Sequence, residues 1–350
     1  MKAGVVFGKE DIRYTDTEMP KIQNPNDVLV KVKYTGICGS DVPRVNLGTS
    51  HTFPNILGHE FSGIVEEAGS QVTRVKPGDR VAGVPLVPCF KCEACMKGNY
   101  SLCRFYSFIG SRRFGSFAEY VAVPDTNVFP FDETVGFEQG ALFEPCTVAL
   151  HGLRLPGFEG GGSVAVIGAG TVGLFTLQWA KIMGAKRIAA IDIDGGKLPL
   201  ARRLGATDTL LSTDPRFEEL SAEVTEGRGF DYVFDAAGTP ETILSALSLA
   251  GGRAKICFIG TPLRNVSFTV REWEMLNRKE LLATGSWMSY SAPFPGAEWD
   301  LTSHFFKTGE LKYDSEMIDR IIPLSEIAGA FELFKRRGAV HGKILIDSEA

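Results

Sequence analysis

The hydrophobic pattern changes character about half-way along the chain. In the first 150 residues, short stretches such as VLVKVKYTG (28–36), SGIVEEAGS and PGDRVAGV are bounded by Gly and Pro. The first of these alternates apolar and polar side chains, which is typical of a half-buried strand. The Gly and Pro residues mark turns between strands. We therefore predict a β-rich first part, a small barrel or sandwich with long loops.

Further along, the candidate strands are apolar throughout and alternate with helical segments. These strands are 163–168, 187–192, 231–238, 254–260 and 281–286. The intervening TVGLFTLQWAKIMG and KLPLARRLG have helical spacing and end in Gly. Strands that are apolar on both sides belong to a parallel sheet covered on both faces. We predict an α/β fold class with a doubly wound parallel-sheet domain at 154–289.

The last part of the chain, 290–350, ends in HGKILIDSE. This segment has the pattern of one more strand and is expected to return to the first domain. The predicted domains are therefore 1–153 together with 290–350, and 154–289. A chain of 350 residues is long enough for two cores of ordinary size.

Composition and charge narrow the possible functions. The chain is 44% hydrophobic with a formal net charge of −5, which disfavours nucleic acid or an acidic membrane surface as the main partner. It has no run of about 18 apolar residues, so no transmembrane helix is expected. The start MKAGVVFGKEDIRYTD meets acidic residues too early for a signal peptide. We expect a cytoplasmic protein, in which disulfides are disfavoured.

A glycine-rich motif, VAVIGAGTVGLF, follows a predicted strand and opens a predicted helix. Glycines in this pattern permit a tight turn and let a pyrophosphate approach the backbone at the helix N-terminus. Asp192 ends the next predicted strand. A carboxylate there would accept from the ribose hydroxyls and repel a 2′-phosphate, so NAD is expected rather than NADP. Lys197 is the nearest cation and leaves NADP open. The predicted cofactor-binding residues are Gly168, Gly170, Thr171, Val172, Gly173, Asp192 and Lys197.

Four of the seven cysteines, Cys89, Cys92, Cys95 and Cys103, form the spacing C-x2-C-x2-C-x7-C. Four thiolates at this spacing can close a tetrahedral zinc site. A redox C-x-x-C pair would leave the other two cysteines unused, and disulfides would be strained over such short separations. We predict a structural zinc site that holds a loop together.

Other residues of metal-ligating type are scattered. Cys38 lies in GICGSD, His59 and Glu60 lie in LGHEFSG, and Glu144 lies in LFEPCTVALHG. Each has a structural explanation when taken singly: a small core cysteine, a turn, or a glutamate at a helix start. Their spacing alone does not unite them.

These motifs, in this order, resemble the zinc-dependent medium-chain alcohol and polyol dehydrogenases across nearly the whole chain. The resemblance implies a β-rich GroES-like catalytic domain and a Rossmann domain. FEPCTVALHG is similar to the sorbitol-dehydrogenase branch. PLVPCFKCEACMKGNYSLC, FIGSRRFGSFAEY and GSWMSYSAPFPGAEW resemble members of that branch that oxidise sugar-alcohol phosphates.

The resemblance also implies a catalytic zinc site formed by Cys38, His59 and Glu144. Glu60 then binds the metal directly or alternates with water. Asp41 is expected to orient His59. Ser40 is expected to pass the hydroxyl proton outward; the implied reaction transfers a hydride from a secondary hydroxyl to NAD and yields a ketose phosphate. The implied catalytic residues are Cys38, Ser40, His59, Glu60 and Glu144.

Candidate substrate residues follow from the same resemblance. Arg112 and Arg113 could bind a phosphate through their guanidinium groups, although adjacent arginines on a loop are also common as a solvated pair. Trp287 and Tyr290 are candidates for the pocket wall, with an ordinary core role as the alternative. His51 is a further candidate for the pocket.

Two other functions stay open. The chain could oxidise free polyols such as sorbitol, or it could be a nucleotide-binding protein without catalysis. The presence of Cys38, His59 and Glu144 together argues against the second. The expected partners are a small-molecule substrate and a second copy of the chain, in a homodimer or homotetramer.

Overall fold

The computed structural model describes residues 1–336 and 338–350, which form two compact units. The first unit comprises Met1–Glu144, Tyr290–Thr308 and Tyr313–Ala350. The second comprises Pro145–Ser289 and Gly309–Lys312. The division of function between 1–153 with 290–350 and 154–289 stays a prediction.

The chain up to Arg154 is rich in short strands, as its pattern of turns predicts. Its strands are β1 (Lys2–Gly8), β2 (Asp11–Asp16), β3 (Asp27–Gly36), β4 (Asn55–Ile56), β5 (Glu60–Ala68), β6 (Arg80–Gly83), β7 (Leu86–Val87), β8 (Ser107–Phe108), β9 (Tyr120–Pro124) and β10 (Val128–Pro130). Its α-helices are α1 (Asp41–Asn46), α2 (Glu93–Met96), α3 (Phe137–Gly140) and α4 (Phe143–Arg154).

Strands and helices then alternate. The strands are β11 (Ser163–Ile167), β12 (Arg187–Asp192), β13 (Asp208–Leu211), β14 (Phe230–Asp235), β15 (Ala250–Phe258) and β16 (Leu282–Gly285). The helices are α5 (Thr171–Ile182), α6 (Leu198–Leu204), α7 (Phe217–Thr225), α8 (Pro240–Leu249) and α9 (Val270–Arg278). The remaining elements are α10 (Ala297–Thr308), β17 (Ile318–Pro323), α11 (Ile327–Leu333) and β18 (Lys343–Asp347).

The first unit is built on a sheet in the order β10-β6-β5-β3-β18-β17, with β9 also paired to β3. Alternate valines of β3 enter a core that includes Val28, Val30, Val32 and Phe61. The final strand β18 pairs antiparallel to β3 and sets Leu345 opposite Gly36. The tail strand predicted from HGKILIDSE is confirmed, and it lies beside the end of β3, just before Cys38.

The second unit contains the sheet β13-β12-β11-β14-β15-β16, whose pairings are all parallel. Its core includes Ala165, Ile191, Val233 and Ile256 from four neighbouring strands. The apolar strands thus form the predicted doubly wound sheet, and the α/β fold class is confirmed. Of the strands in this sheet, only the edge strand β13 was not predicted, because its sequence DTLL has two polar residues among four and forms no apolar run.

Within the described residues, no helix combines the length and the apolar character needed to cross a bilayer.

Candidate catalytic and metal sites

Cys38, His59 and Glu60 converge in the first unit, where their ligand atoms all lie within 4.8 Å of one another. The pairing of β3 with β5 explains this convergence. It is antiparallel and sets Gly36 opposite Glu60, so the residues just after β3 meet those at the start of β5. Three residues that sequence spacing could not unite are therefore brought together by strand register.

Asp41 lies behind His59, as the resemblance implied. Its Oδ1 is 3.5 Å from His59 Nδ1, and its Oδ2 accepts a hydrogen bond from the backbone N–H of Cys38 at 3.1 Å. Burial disfavours protonation of His59, but the charges of Asp41 and Cys38 outweigh it and hold the pKa of His59 well above its ordinary value. The buried Nδ1 atom has no hydrogen-bond partner of good geometry.

Lys343, at the start of β18, forms a buried ion pair with Glu60. Its Nζ donates to Glu60 Oε2 at 2.6 Å and Oε1 at 2.9 Å, and to the Ile37 carbonyl at 3.1 Å. Burial disfavours the charged amine, yet the charges of Glu60 and Cys38 hold the pKa of Lys343 above its ordinary value. Lys343 lies in no sequence motif; its only signal is a lysine that opens a short strand with the apolar run ILI.

Glu144, near the start of α4, is 8% exposed and lies outside the set of three converging side chains. Its pKa is raised to about 7, and burial is the largest cause. The charges of His59 and Lys343 oppose this rise, whereas those of Glu60 and Asp41 contribute to it. Glu144 therefore lies within electrostatic range of the cluster, as expected for a residue close to the proposed metal site.

Ser40 and Arg44 extend the cluster toward solvent. The Oγ of Ser40 is 3.3 Å from the Sγ of Cys38, and Arg44 Nη1 donates to that Oγ at 2.8 Å. Arg44 also lies 3.2 Å from Asp41 Oδ1. Arg44 gives no signal in the sequence, because a basic residue on a six-residue helix belongs to no motif.

The donor set at this cluster suits zinc. Zinc binds a mixture of thiolate sulfur, imidazole nitrogen and carboxylate oxygen, which Cys38, His59 and the glutamates offer. A buried imidazole close to a cysteine and several carboxylates is the environment that a divalent cation would neutralise. The residues present therefore fit a catalytic zinc, while the assignment of individual ligands stays a prediction.

The four-cysteine loop folds into a compact sulfur cluster, Cys89, Cys92, Cys95 and Cys103. The Sγ atom of Cys92 lies 3.6 Å from that of Cys95 and 3.9 Å from that of Cys103. The Sγ atoms of Cys89 and Cys95 are 4.0 Å apart. Tetrahedral zinc with Zn–S bonds of about 2.3 Å requires sulfur atoms about 3.8 Å apart. These distances fit a closed tetrahedral site and are far too long for disulfide bonds.

Aromatic side chains tie this loop to the segment after residue 289. The rings of Phe90 and Tyr100 each lie 5.4 Å from that of Phe294, and the backbone N–H of Tyr290 donates to Ser101 Oγ at 3.1 Å. Tyr290 is only 2% exposed, and its ring stacks on Trp299, so its surroundings are those of a core aromatic. The loop therefore supports the Tyr290 segment.

The other candidate substrate residues lie in different places. The backbone N–H groups of Arg112 and Arg113 donate to the Phe108 carbonyl at 2.9 and 3.1 Å, and the Phe108 ring lies 5.4 Å from that of His59. Both arginine side chains are exposed. Trp287, 52% exposed, belongs to the second unit.

The glycine-rich motif forms a turn between β11 and α5. Gly168 has φ +96°, and a Cβ on Gly173 would overlap the Gly168 carbonyl oxygen. A Cβ on Gly170 would meet nothing within 4 Å, which leaves its backbone open to a ligand. Thr171 and Val172 begin α5, where N–H groups favour an anion.

Asp192, at the end of β12, is joined to this turn. Its Oδ2 accepts from the backbone N–H of Ala169 at 2.6 Å, and its Oδ1 accepts from Asp194 N–H at 2.8 Å. Lys197 ends a short 3₁₀ turn just beyond. The carboxylate that is predicted to bind the ribose therefore also holds the glycine-rich turn in place.

Comparison with known proteins identifies the family. Residues 24–133 match the alcohol dehydrogenase GroES-like domain, and residues 171–303 match the zinc-binding dehydrogenase domain. The chain is 40% identical over 341 residues to galactitol 1-phosphate 5-dehydrogenase of Escherichia coli K12, covering 96% of each chain. This chain belongs to the zinc-dependent medium-chain dehydrogenase family.

Other members of this dehydrogenase family are also similar. D-xylulose reductase A of Aspergillus niger is 32% identical over 337 residues, 94% of this chain and 92% of that protein. The crystal structure of E. coli galactitol-1-phosphate dehydrogenase matches with a TM-score of 0.94 at 39% identity, over 99% and 100% of the two chains. A zinc-binding dehydrogenase of Sinorhizobium meliloti 1021 bound to NADP matches with a TM-score of 0.88 at 32% identity, over 99% of each chain.

Membership confirms the predicted fold class, a GroES-like domain plus a Rossmann domain. It also establishes the chain as a zinc-dependent oxidoreductase of the alcohol and polyol dehydrogenase class.

Proposed function

We propose that this dehydrogenase oxidises a secondary hydroxyl of a sugar-alcohol phosphate of the galactitol 1-phosphate type, with NAD as the hydride acceptor, and forms a ketose phosphate. The observation that carries the proposal is the convergence of Cys38, His59 and Glu60, with Glu144 in electrostatic range. The similarity to galactitol 1-phosphate 5-dehydrogenase over 96% of the chain supports the substrate class.

In this proposal Cys38, His59 and Glu144 hold the catalytic zinc. Zinc bound there would lower the pKa of a coordinated hydroxyl, so that its proton would leave near neutral pH. Both carboxylate oxygens of Glu60 accept from Lys343. Glu60 would therefore have to leave this ion pair to bind the metal, and it would return to Lys343 on releasing it. Asp41 fixes the ring orientation of His59 from behind.

Ser40 moves the proton. Its Oγ lies beside Cys38 Sγ, and Ser40 is exposed, so it can receive a proton at the cluster and return it to water. Arg44 donates to the same Oγ and keeps its lone pair oriented. This connection between the cluster and solvent supports a catalytic role.

The sulfur cluster would hold a second, structural zinc, giving two zinc ions per chain. A site closed by four thiolates leaves no position for substrate. Its proposed role is to fasten the loop 89–103 against Tyr290 and Phe294.

We assign the dinucleotide to the second unit, at Gly168, Gly170 and the first residues of α5. Asp192 supports NAD as the preferred form, because its carboxylate would repel a 2′-phosphate. The NADP-bound relative keeps NADP as the alternative. NAD supplies the hydride acceptor at C4 of its nicotinamide ring.

The proposed division of labour assigns catalysis to 1–153 and 290–350 and nucleotide binding to 154–289, in a cytoplasmic enzyme. We also propose a homodimer or homotetramer. The edge strand β16 supports this, because it ends the sheet and its Leu282 is 53% exposed. Trp273, also 53% exposed, adds apolar surface in the same unit. Analytical ultracentrifugation would measure the mass of the assembly and so distinguish a dimer from a tetramer or a monomer.

A second candidate, oxidation of free polyols, is favoured by the similarity to D-xylulose reductase A. An NADH absorbance assay with galactitol 1-phosphate, galactitol and sorbitol distinguishes the two. We expect the highest kcat/KM for the phosphorylated polyol, and higher activity with NAD than with NADP. Equal rates on free polyols would contradict the substrate assignment. A single zinc per chain and no turnover of any polyol would favour a nucleotide-binding protein without catalysis.

A further inference from the structure

Arg44 has unused hydrogen-bonding capacity beside the catalytic cluster. Its hydrogen bonds, to Ser40 O at 2.9 Å, Ser40 Oγ at 2.8 Å and Asp41 Oδ1 at 3.2 Å, all leave from Nη1. Within residues 1–336 and 338–350, Nη2 and Nε therefore have no partner. The side chain is 20% exposed, so the free edge of the guanidinium remains accessible to a ligand.

This guanidinium is close to the reacting centre. Cys38 Sγ lies 3.3 Å from Ser40 Oγ, which lies 2.8 Å from Arg44 Nη1. The proposed metal-ligating sulfur and the arginine nitrogen are therefore no more than about 6 Å apart. A single polyol chain can reach both, with one hydroxyl at the metal site and an anionic end group at Arg44.

Arg112 is held near the same cluster by a different element. The Phe108 ring lies against that of His59 at 5.4 Å, and the Phe108 carbonyl accepts from the backbone N–H of Arg112 at 2.9 Å. The Arg112 guanidinium lies over the Tyr106 ring, 4.5 Å from its centroid, which restricts its orientation. Arg112 is thus fixed on a turn that begins at a residue in contact with His59.

A third segment, the loop that carries His51, follows α1 and lies against the turn that carries Arg112. Buried Asn55 donates to the Ser111 carbonyl at 2.9 Å and to Ser50 Oγ at 3.2 Å, and this holds the loop that carries His51 against the turn that carries Arg112. Partial burial, then the charge of Arg112 and then that of Arg44, lower the pKa of His51 below its ordinary value. Both guanidinium charges therefore act on one imidazole, which agrees with the position of each arginine beside the cluster of Cys38 and His59.

We infer that Arg44 and Arg112, together with His51, form the subsite that binds the phosphate of the substrate. Arginine binds phosphate through two parallel N–H donors, and the free edge of Arg44 offers such a pair. The inference rests on the proposed function for the substrate class and adds a residue that the sequence motifs did not indicate. It also connects phosphate binding to the proton path, because Arg44 contacts Ser40 Oγ through its other edge.

The kinetic test compares kcat/KM for galactitol 1-phosphate with kcat/KM for galactitol in zinc-loaded enzyme. Arg44→Gln and Arg112→Gln should each lower the ratio of the two values by about 10- to 100-fold. Arg44→Lys should recover part of the loss, because lysine keeps the charge without the paired donors. Arg74→Gln is the matched control, since Arg74 is an exposed arginine of the same unit that hydrogen-bonds the Asp125 carbonyl; its ratio should stay unchanged.

A direct measurement separates this inference from a purely structural role of Arg44. Calorimetric titration of the holoenzyme with inorganic phosphate should give binding that Arg44→Gln and Arg112→Gln weaken by at least tenfold and Arg74→Gln leaves intact. Zinc content and melting temperature of each variant are measured beside it. If Arg44→Gln does not fold, Arg44→Lys and Arg112→Gln provide the same comparison.

The outcomes distinguish the subsite from the reaction. Equal losses on phosphorylated and free polyol, or phosphate binding that neither variant alters, would overturn the subsite and leave the proposed reaction standing. Phosphate binding that depends on Arg44 and Arg112, in an enzyme that oxidises no polyol, would support the subsite and refute the proposed reaction.

Discussion

The ammonium group of Lys343 lies 2.6 Å from Glu60 Oε2, and the two side chains are only 7% and 2% exposed. A buried ion pair contributes little net stability, but removal of one partner leaves an uncompensated buried charge. Lys343 therefore fixes both the charge and the position of a carboxylate that adjoins the proposed metal site.

Lys343→Met should destabilise the protein by about 3–5 kcal/mol and alter zinc affinity, because Glu60 is released from its ion pair. Urea denaturation and zinc titration measure the two effects. The control is Lys31→Met, which breaks the Lys31–Glu349 pair at a more exposed site and should cost about 0–1 kcal/mol. Similar losses of unfolding free energy in Lys343→Met and Lys31→Met would contradict a special role for the buried pair.

Cys103→Ser should remove one of two zinc ions per chain and lower the melting temperature by on the order of 10 °C. The reason is that the sulfur cluster fastens the loop against Tyr290 and Phe294. Elemental analysis counts the zinc, and near-ultraviolet circular dichroism reports the aromatic packing. Cys257→Ala, a buried cysteine outside both clusters, should keep two zinc ions; retention of both ions in Cys103→Ser would refute the structural site.

Sequence identified the features that local spacing determines. The four cysteines lie within fifteen residues, and the glycine turn lies between one strand and its helix, so both are visible without tertiary information. The convergence of Cys38 with Glu60 depends instead on a strand register that sets Gly36 opposite Glu60, and only the family resemblance united them.

Residues outside any motif were missed for the same reason. Lys343 reaches Glu60 across a separation of 283 residues because β18 pairs with β3. Arg44 lies on a helix of six residues, and its proposed subsite with Arg112 depends on loops that meet only in the folded chain. Hydrophobic periodicity gives element types but no information on which loops meet.

Two glycine substitutions should separate folding from nucleotide binding. Gly173→Ala places a methyl group onto the Gly168 carbonyl oxygen and should cost about 1–3 kcal/mol of stability, with loss of NADH binding. Gly170→Ala meets open space, so it should fold normally yet bind NADH more weakly, because the methyl group occupies the approach of the pyrophosphate. The melting temperature measures stability, and fluorescence titration measures NADH affinity. Unchanged NADH affinity in Gly170→Ala would contradict the assignment of the dinucleotide to this turn.

Asp192→Asn should shift the preference from NAD toward NADP. The single amide oxygen can still accept from Ala169 N–H, so the glycine-rich turn is kept, although the hydrogen bond from Asp194 N–H is lost. The negative charge that repels a 2′-phosphate is removed. We expect the NADP to NAD ratio of kcat/KM to rise roughly tenfold. Asp194→Asn, which changes a neighbouring carboxylate that accepts from Gly196 N–H, serves as the comparison. If the NADP to NAD ratio of kcat/KM rises only in the Asp194 variant, the ribose contact belongs to Asp194 and the assignment to Asp192 is wrong.

Asp235, at the end of β14, gives a pH-dependent prediction. It is fully buried, and burial raises its pKa above the usual 3.8, although backbone N–H groups of Gly238 and Ala237 oppose the shift. A carboxyl whose pKa is higher in the folded state holds more protons there, so its contribution to stability is present below pH 3.8 and is lost as pH rises through the folded-state pKa.

Asp235→Asn keeps an oxygen for the two N–H groups and cannot ionise. The melting temperature of the variant minus that of the wild type should therefore increase as pH rises from about 3.8 and level off above the folded-state pKa. A difference that stays constant or falls over this range, measured by calorimetry, would mean that Asp235 is not held in its protonated form by burial.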